Sequence, residues 1–271
     1  MKLSRARLDS VYRKYNRRIY VHPDPVEFLF DYESLRNREI TGLIASSLAY
    51  GRVTQILKSV RSVLEKMDSP SDFLAGARRE TLRRKFSSFR HRFTSGEEMA
   101  AMLWGAKNII DEYGSLGACF TESFSQQDEN VLPALEHFTK ALRDAAGSSI
   151  KSLVPVPSRG SACKRLNLYL RWMVRRDDVD PGGWTGIKTS HLIVPLDTHM
   201  HRIGRALGLT DRNCADMRTA IEITRGFGRY CPMDPVKYDF ALTRIGILKI
   251  RKDTESVPLI RHLEKEGCIP A

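Results

Sequence analysis

Cysteine is sparse and scattered in this chain. Cys119, Cys163, Cys214, Cys231 and Cys268 stand singly among 271 residues, with no CxxC pair. That pattern argues against a zinc ribbon, a four-cysteine iron–sulfur cluster and a disulfide framework, and leaves reduced thiols of a cytoplasmic protein. Long apolar runs are missing too: no stretch reaches the ~18 residues a membrane-spanning helix needs. The opening MKLSRARLDSVYRKYNRRIY is charged rather than signal-like. Stretches in which β-branched residues alternate with polar ones are almost absent, which removes sandwiches and barrels. Acidic residues are in deficit, 32 against 44 Lys and Arg, for a net charge of +12. A soluble protein with a polyanionic partner is expected, nucleic acid ahead of an anionic membrane surface.

What is present is helical periodicity. REITGLIASSLAYG sets Ile40, Leu43, Ile44, Ser47 and Leu48 on one face, with Gly51 placed to stop the helix. VTQILKSVRSVLEKM repeats the pattern with Ile56, Val60, Val63, Leu64 and Met67. SGEEMAAMLWGAKNIIDEYG opens on Ser95 with Glu98 three residues later, a capping box. RLNLYLRWMV is a further helix, and two more are expected from about 216 to 226 and from 235 to 248, separated by the turn residues of CPMD. Between about 78 and 92, RRETLRRKFSSFRHRF reads as a solvated basic helix with a stripe of Phe86, Phe89 and Phe93. GSSIKSLVPVPSRGSACK carries Pro155, Pro157 and Gly160 and reads as a loop or tight hairpin.

The segment VPLDTHMHRIGRALGL, residues 194 to 209, poses the functional question. Pro195 disfavours helix at Val194, and Asp197 is a good N-cap for a helix whose Met200, Ile203 and Leu207 recur at helical spacing before Gly208. Capping alone is sufficient reason for this carboxylate. Upstream, Gly160 and Ser161 precede a helix start with Lys164 in its first turn, where backbone N–H groups suit a phosphate. Lys164 is then a phosphate contact or a solvated charge, or else a nucleophilic amine. His199 and His201 diverge on a helix and are poorly placed to share a metal. Asp177, Asp178 and Asp180 before PGG lack the spacing and terminal glutamate of a calcium loop. Cys163 has no base near it in sequence, and Trp172 and Trp184 read as core or loop anchors. No metal or cofactor is expected.

Together, the lysine-bearing hairpin and PLDTHMHRIGRALGL resemble the helix-hairpin-helix DNA glycosylases of the endonuclease III type. The resemblance implies that Asp197 takes the place of the essential aspartate and Lys164 that of the Schiff-base lysine. LIASSLAYGRVTQILKSV is similar to the first core helix pair, whose connecting loop enters the DNA, which implies Tyr50 near the base and Arg52 on the DNA. The chain departs from that type in its long interval of 33 residues between Lys164 and Asp197, its degenerate hairpin VPVPSRGSAC, and its missing cysteine cluster. In these respects it resembles the archaeal 8-oxoguanine glycosylase branch, in which YDFALTRIG implies Asp239 and Phe240 in the base pocket. Nearly the whole chain is also similar to a bacterial family of unknown function, DUF2400, through SLAYGRV, HRFTSGE, CKRLNLYLRWMVRRDDVD, PLDTH and DPVKYDFAL.

The fold so implied is all-α, a two-lobed helical bundle of the helix-hairpin-helix glycosylase type without an iron–sulfur cluster. Residues 38–200 would form the central lobe, ending in the hairpin and catalytic segment, and 1–37 with 201–271 the second. The implied activity is that of a DNA glycosylase with AP lyase activity, acting as a cytoplasmic monomer on double-stranded DNA with a damaged base, oxidised guanine favoured. Lys164 and Asp197 would be catalytic, Asp239, Tyr50 and Phe240 base-binding, and Arg52, Arg159, Gly160, Ser161, Arg165 and His199 DNA-binding. Arg52 or Tyr50 would fill the space left by a flipped base. The alternative is a non-catalytic helix-hairpin-helix protein that binds DNA or RNA. A cleft shared by Lys164 and Asp197 favours the enzyme over the binder.

Overall fold

The computed structural model describes residues 3–250, and helices dominate it. In chain order they are α1 Arg5–Tyr15, α2 Leu35–Ser47, α3 Val53–Leu64, α4 Pro70–Ala75, α5 Arg79–Phe86, α6 Gly96–Tyr113, α7 Leu116–Glu122, α8 Leu132–Ala146, α9 Lys164–Val174, α10 Thr198–Ala206, α11 Met217–Gly228 and α12 Asp239–Ile250. One antiparallel hairpin, β1 Arg90–His91 with β2 Thr94–Ser95, interrupts them between α5 and α6. No helix among the described residues is long and apolar enough to cross a membrane. Cys268 lies outside the described residues, and Cys119, Cys163, Cys214 and Cys231 are free thiols.

Local signals account for several elements. At the start of α6, Ser95 Oγ accepts a hydrogen bond from the Glu98 N–H and Glu98 Oε2 accepts one from the Ser95 N–H, the expected capping box. In α3 the expected residues Ile56, Val60, Val63 and Leu64 are all buried, as is Met67 beyond it. The final helix begins at Asp239 rather than near 235, because residues 234–238 close successive turns first.

Two expectations need correction. α2 was read as a helix with one apolar face, but every residue from Glu39 to Ser47 is buried. Partners enclose it: the 3-10 helix Pro25–Asp31, α9 and α4 all pack on it. A helix enclosed on all sides has no polar face for periodicity to report. The stretch from 78 to 92 is not one helix either. α5 ends at Phe86, and the β1–β2 hairpin follows, so Phe86 and Phe89 are buried whereas Phe93 sits at the hairpin tip, 78% exposed.

α2 and α9 form the spine of the site. At Gly42 an added Cβ would lie 3.0 Å from Tyr169 Cε2, so a larger residue there would press on the Tyr169 ring where the two helices meet. The Tyr169 hydroxyl donates to the Glu39 carbonyl oxygen at 3.0 Å. The Glu39 carboxylate in turn caps α7, accepting from the Leu116 and Gly117 N–H groups at 3.2 and 3.1 Å and from Trp184 Nε1 at 3.1 Å. Elsewhere α1 and α10 both pack on α12, and the buried apolar residues form one continuous cluster from Leu8 to Ile245.

Candidate active site

The site begins with the turn that starts α9. Cys163 adopts a left-handed conformation, φ 46° and ψ 39°, its N–H donating to Ser161 Oγ at 3.3 Å. Asn167 Nδ2 donates back to the Ala162 carbonyl oxygen at 3.0 Å. This turn makes Lys164 the first residue of α9. Its Nζ reaches the Ala49 carbonyl oxygen at 3.5 Å, at the end of α2, and stands 4.0 Å from Asp197 Oδ2. The two side chains are about one-third exposed, 33% and 29%.

Asp197 is both a cap and a cleft residue. Its Oδ1 accepts from the His199 and Met200 N–H groups at 2.9 and 2.8 Å, the N-cap geometry expected of it. Capping uses Oδ1 and leaves Oδ2 toward the lysine, so the two readings of this residue are compatible. The approach strand is pinned by the Val194 N–H, which donates to Thr224 Oγ1 at 2.9 Å.

Around this pair lies a cleft of about 250 Å3. α9 contributes Lys164, Leu168 and Arg171, the α2–α3 turn Ala49 and Gly51, the start of α10 Pro195, Asp197 and His199. α12 contributes Asp239, Phe240 and Thr243, and the segment before Pro25–Asp31 brings Pro23 and Asp24. Of the charged lining groups, three are carboxylates (Asp24, Asp197, Asp239) and two are cations (Lys164, Arg171). Each of these carboxylates has a cation beside it: Lys164 for Asp197, Arg171 for Asp239 and, behind the cleft wall, Arg244 for Asp24.

Asp239 is 3% exposed and its Oδ2 is held by Arg171 NH1. Burial pushes its carboxyl up to about 6, against the pull of the Arg171 guanidinium and with the Asp197 charge adding to the rise. Asp24 Oδ2 accepts from Arg244 NH2 at 3.1 Å, and the Arg244 guanidinium stacks 4.6 Å over the Phe240 ring.

The expected site residues fall into three groups. Lys164, Asp197, His199, Asp239 and Phe240 meet in the cleft. Arg52, Arg159, Gly160 and Ser161 are exposed; Gly160 has φ +80° and its carbonyl oxygen accepts from the Met217 N–H at 3.2 Å, which ties the hairpin to α11. Tyr50 and Arg165 turn inward instead. The Tyr50 hydroxyl bonds to the His91 carbonyl oxygen at 3.0 Å and to Thr94 Oγ1 at 2.7 Å. Arg165 NH1 donates to the Ser47 and Ser152 carbonyl oxygens, both at 2.6 Å, and its guanidinium stacks 4.8 Å from the Tyr50 ring. Burial lowers the Arg165 pKa. His201 also points away, Nε2 against the Arg212 carbonyl oxygen at 2.9 Å.

Sequence reasoning missed Arg171 and Asp24. For Arg171 a signal existed: Lys164, Leu168 and Arg171 stand at i, i+4 and i+7, one face of one helix. Asp24 comes from a distant segment with no motif, and only the packing of Pro25–Asp31 on α2 brings it in.

Neither the curated proteins nor the solved structures give a match to this chain. A family model does match, over residues 24–248, and its span takes in all the lining residues of the cleft but Pro23. The chain therefore belongs to the DUF2400 family, described as proteins of unknown function.

Proposed function

We propose that this chain is a DNA repair enzyme, a glycosylase with AP lyase activity that excises a damaged base, oxidised guanine favoured, from duplex DNA. One observation carries the reading: a lysine amine and a capped carboxylate, 33 residues apart in sequence, stand 4.0 Å apart in a single cleft. The basic surface supplies phosphate affinity and a steep salt dependence. The target nucleotide leaves the stack to enter the cleft, since its glycosidic bond is out of reach inside a duplex.

Lys164 Nζ, as the free amine, attacks the anomeric carbon, and the bond from that carbon to the base breaks. The base departs with the bonding electrons and takes up a proton. The amine loses protons as the sugar ring opens, leaving a Schiff base between Lys164 and the anomeric carbon. Loss of a proton from the adjacent sugar carbon then expels the 3′ phosphate by β-elimination. Asp197 stabilises the positive charge that builds on the sugar and accepts a proton from the amine. Such an enzyme works as a monomer in the cytoplasm, on the nucleoid.

The flipped base leaves a gap in the duplex. Tyr50 is committed to His91 and Thr94, whereas Phe93 is exposed at the hairpin tip beside Arg92, whose side chain lies against Gly51 at the mouth of the cleft. Phe93 is the better filler of that gap. Base stacking on an aromatic ring contributes about 1–3 kcal/mol, so Phe93→Ala should weaken binding to an abasic-analogue duplex by about tenfold or more. Fluorescence anisotropy measures this, and unchanged affinity would return the role to Arg52.

Borohydride trapping on an 8-oxoguanine duplex tests the whole proposal. The wild type should give a covalent protein–DNA adduct, and Lys164→Gln none, with duplex affinity within a few fold. Absence of adduct for the wild type on every lesion tried, or an undiminished adduct with Lys164→Gln, rules the lyase out.

A further inference from the structure

Behind the cleft lies an array of buried charge that the chemistry above does not use. Arg171 and Arg175, one turn apart on α9 and just beyond it, are 3% and 4% exposed. Four carboxylates face these two guanidiniums: Asp177, Asp180, Asp234 and Asp239. Arg171 Nε donates to Asp180 Oδ1 at 3.1 Å while its NH1 holds Asp239. Arg175 holds Asp180 Oδ2 through NH1, Asp177 at 2.9 Å, and Asp234 through Nε and NH2 at 3.0 Å. The Tyr12 hydroxyl closes the array from α1, donating to Asp177 at 2.9 Å. Within RRDDVD, in the long interval before Asp197, Arg175, Asp177 and Asp180 are therefore in mutual contact.

Asp180 is fully buried, and each of its oxygens is taken by a different arginine. A guanidinium gripped along its Nε edge has its plane fixed, so NH1 meets Asp239 from a set direction. Asp239 Oδ2 is thereby committed. Its Oδ1 accepts no hydrogen bond among the described residues, and Asp239 lines the cleft, so Oδ1 is the oxygen a ligand meets. We propose that Asp180 is a positioning residue, which fixes the direction of Asp239 through Arg171 and acts on its carboxyl directly with its own charge, and so makes the segment between α9 and α10 a specificity element of the cleft. The identity of the ligand, a nucleobase, rests on the glycosylase reading; the positioning itself does not.

Charge matters because an ionised carboxylate can only accept a hydrogen bond, whereas a protonated one also donates, and the two match different base edges. The charged groups facing Asp239 are Arg171 from α9, Asp180 from the segment after it, and Asp197 from the start of α10. Lys164, His199 and the Asp24–Arg244 pair share the cleft or its wall. Asp239 titrates near 6, and the Asp180 charge is one of the influences that raise it. Asp180→Asn removes that influence and lowers the midpoint. It also leaves three carboxylates for two guanidiniums, so neither arginine is stranded.

Carboxyl NMR of the full chain with labelled aspartate, the Asp239 signal assigned by its loss in Asp239→Asn, reads the effect without any substrate. The midpoint should fall by about half a pH unit or more in Asp180→Asn. In parallel, affinity for duplexes with 8-oxoguanine or guanine at one position, the sugar fluorinated to prevent excision, gives the discrimination ratio. Asp180→Asn should lose about tenfold of it, Asp239→Asn at least as much, and the double variant no more than Asp239→Asn alone. An unmoved midpoint, or losses that simply add, overturns the proposal. A moved midpoint in a protein that discriminates no lesion supports the positioning and counts against the glycosylase reading instead. Should Asp180→Asn fail to fold, Arg175→Lys keeps the charge but cannot hold all three of its carboxylates; it should lower the ratio less, and wild-type discrimination by it overturns the proposal.

Discussion

Asp197→Asn should slow base excision by about 10²–10³-fold, the loss typical when one electrostatic stabiliser of a transition state is removed. The substitution separates the two functions of this residue. Asparagine is as good an N-cap as aspartate, so its side-chain oxygen still accepts from the His199 and Met200 N–H groups and α10 keeps its start. What disappears is the charged oxygen that faces Lys164, replaced by an amide NH2. Single-turnover excision rates should therefore drop steeply while duplex affinity stays within a few fold and the thermal midpoint barely moves. Asp197→Ala should add the loss of the cap, about 1 kcal/mol, on top of the same kinetic defect. Unchanged excision by Asp197→Asn would leave capping as the whole role.

The largest stability effect is expected at Glu39. Replacement by leucine would strand the Leu116 and Gly117 N–H groups and the Trp184 indole N–H, each of which now has this carboxylate as acceptor. A stranded buried donor costs about 1–3 kcal/mol, so Glu39→Leu should cost about 3–6 kcal/mol, seen as a fall of roughly 10 °C or more in Tm. Burial raises the Glu39 carboxyl above its usual value, against the hydrogen bonds that favour the ion. A raised folded pKa gives stability that is present at low pH and lost as pH rises through it. The deficit of Glu39→Gln relative to wild type should thus be greatest in acid and narrow toward neutrality. Chemical denaturation at two pH values decides it, and a pH-independent deficit would contradict the assignment.

How much of this was legible follows from where each signal resides. The capping box at Ser95, the N-cap at Asp197 and the amphipathic α3 are local patterns, and the chain adopts them as expected. From Glu39 to Ser47 every residue of α2 is buried, so its sequence could not reveal which residues face which neighbour. RHRFTS has no glycine or asparagine to announce a tight turn, yet Arg92 takes φ +51° and the chain reverses there. Arg165 looks like any surface cation in sequence, and only the two backbone carbonyls waiting at Ser47 and Ser152 draw it inward. The Lys164 and Asp197 pairing was reached through family resemblance, because no short-range pattern links residues so far apart. Arg171 was within reach of a helical wheel, whereas Asp180 was not: its partners are set by the fold.

The close seam between α2 and α9 has a mechanical consequence. Gly42 lies against the Tyr169 ring, and Arg165 is bonded to the end of α2, so the wall that carries Lys164 is tied directly to the wall that carries Ala49 and Gly51. A stiff receptor transfers the work of fitting to whatever enters it. If the proposed function holds, it is the duplex that bends and unstacks, at a cost of about 1–6 kcal/mol for a moderate smooth bend. Sites already weakened by a lesion or a mismatch bend more readily. On the proposed reading, the first thing this protein senses in DNA is compliance, before any base has reached Asp239.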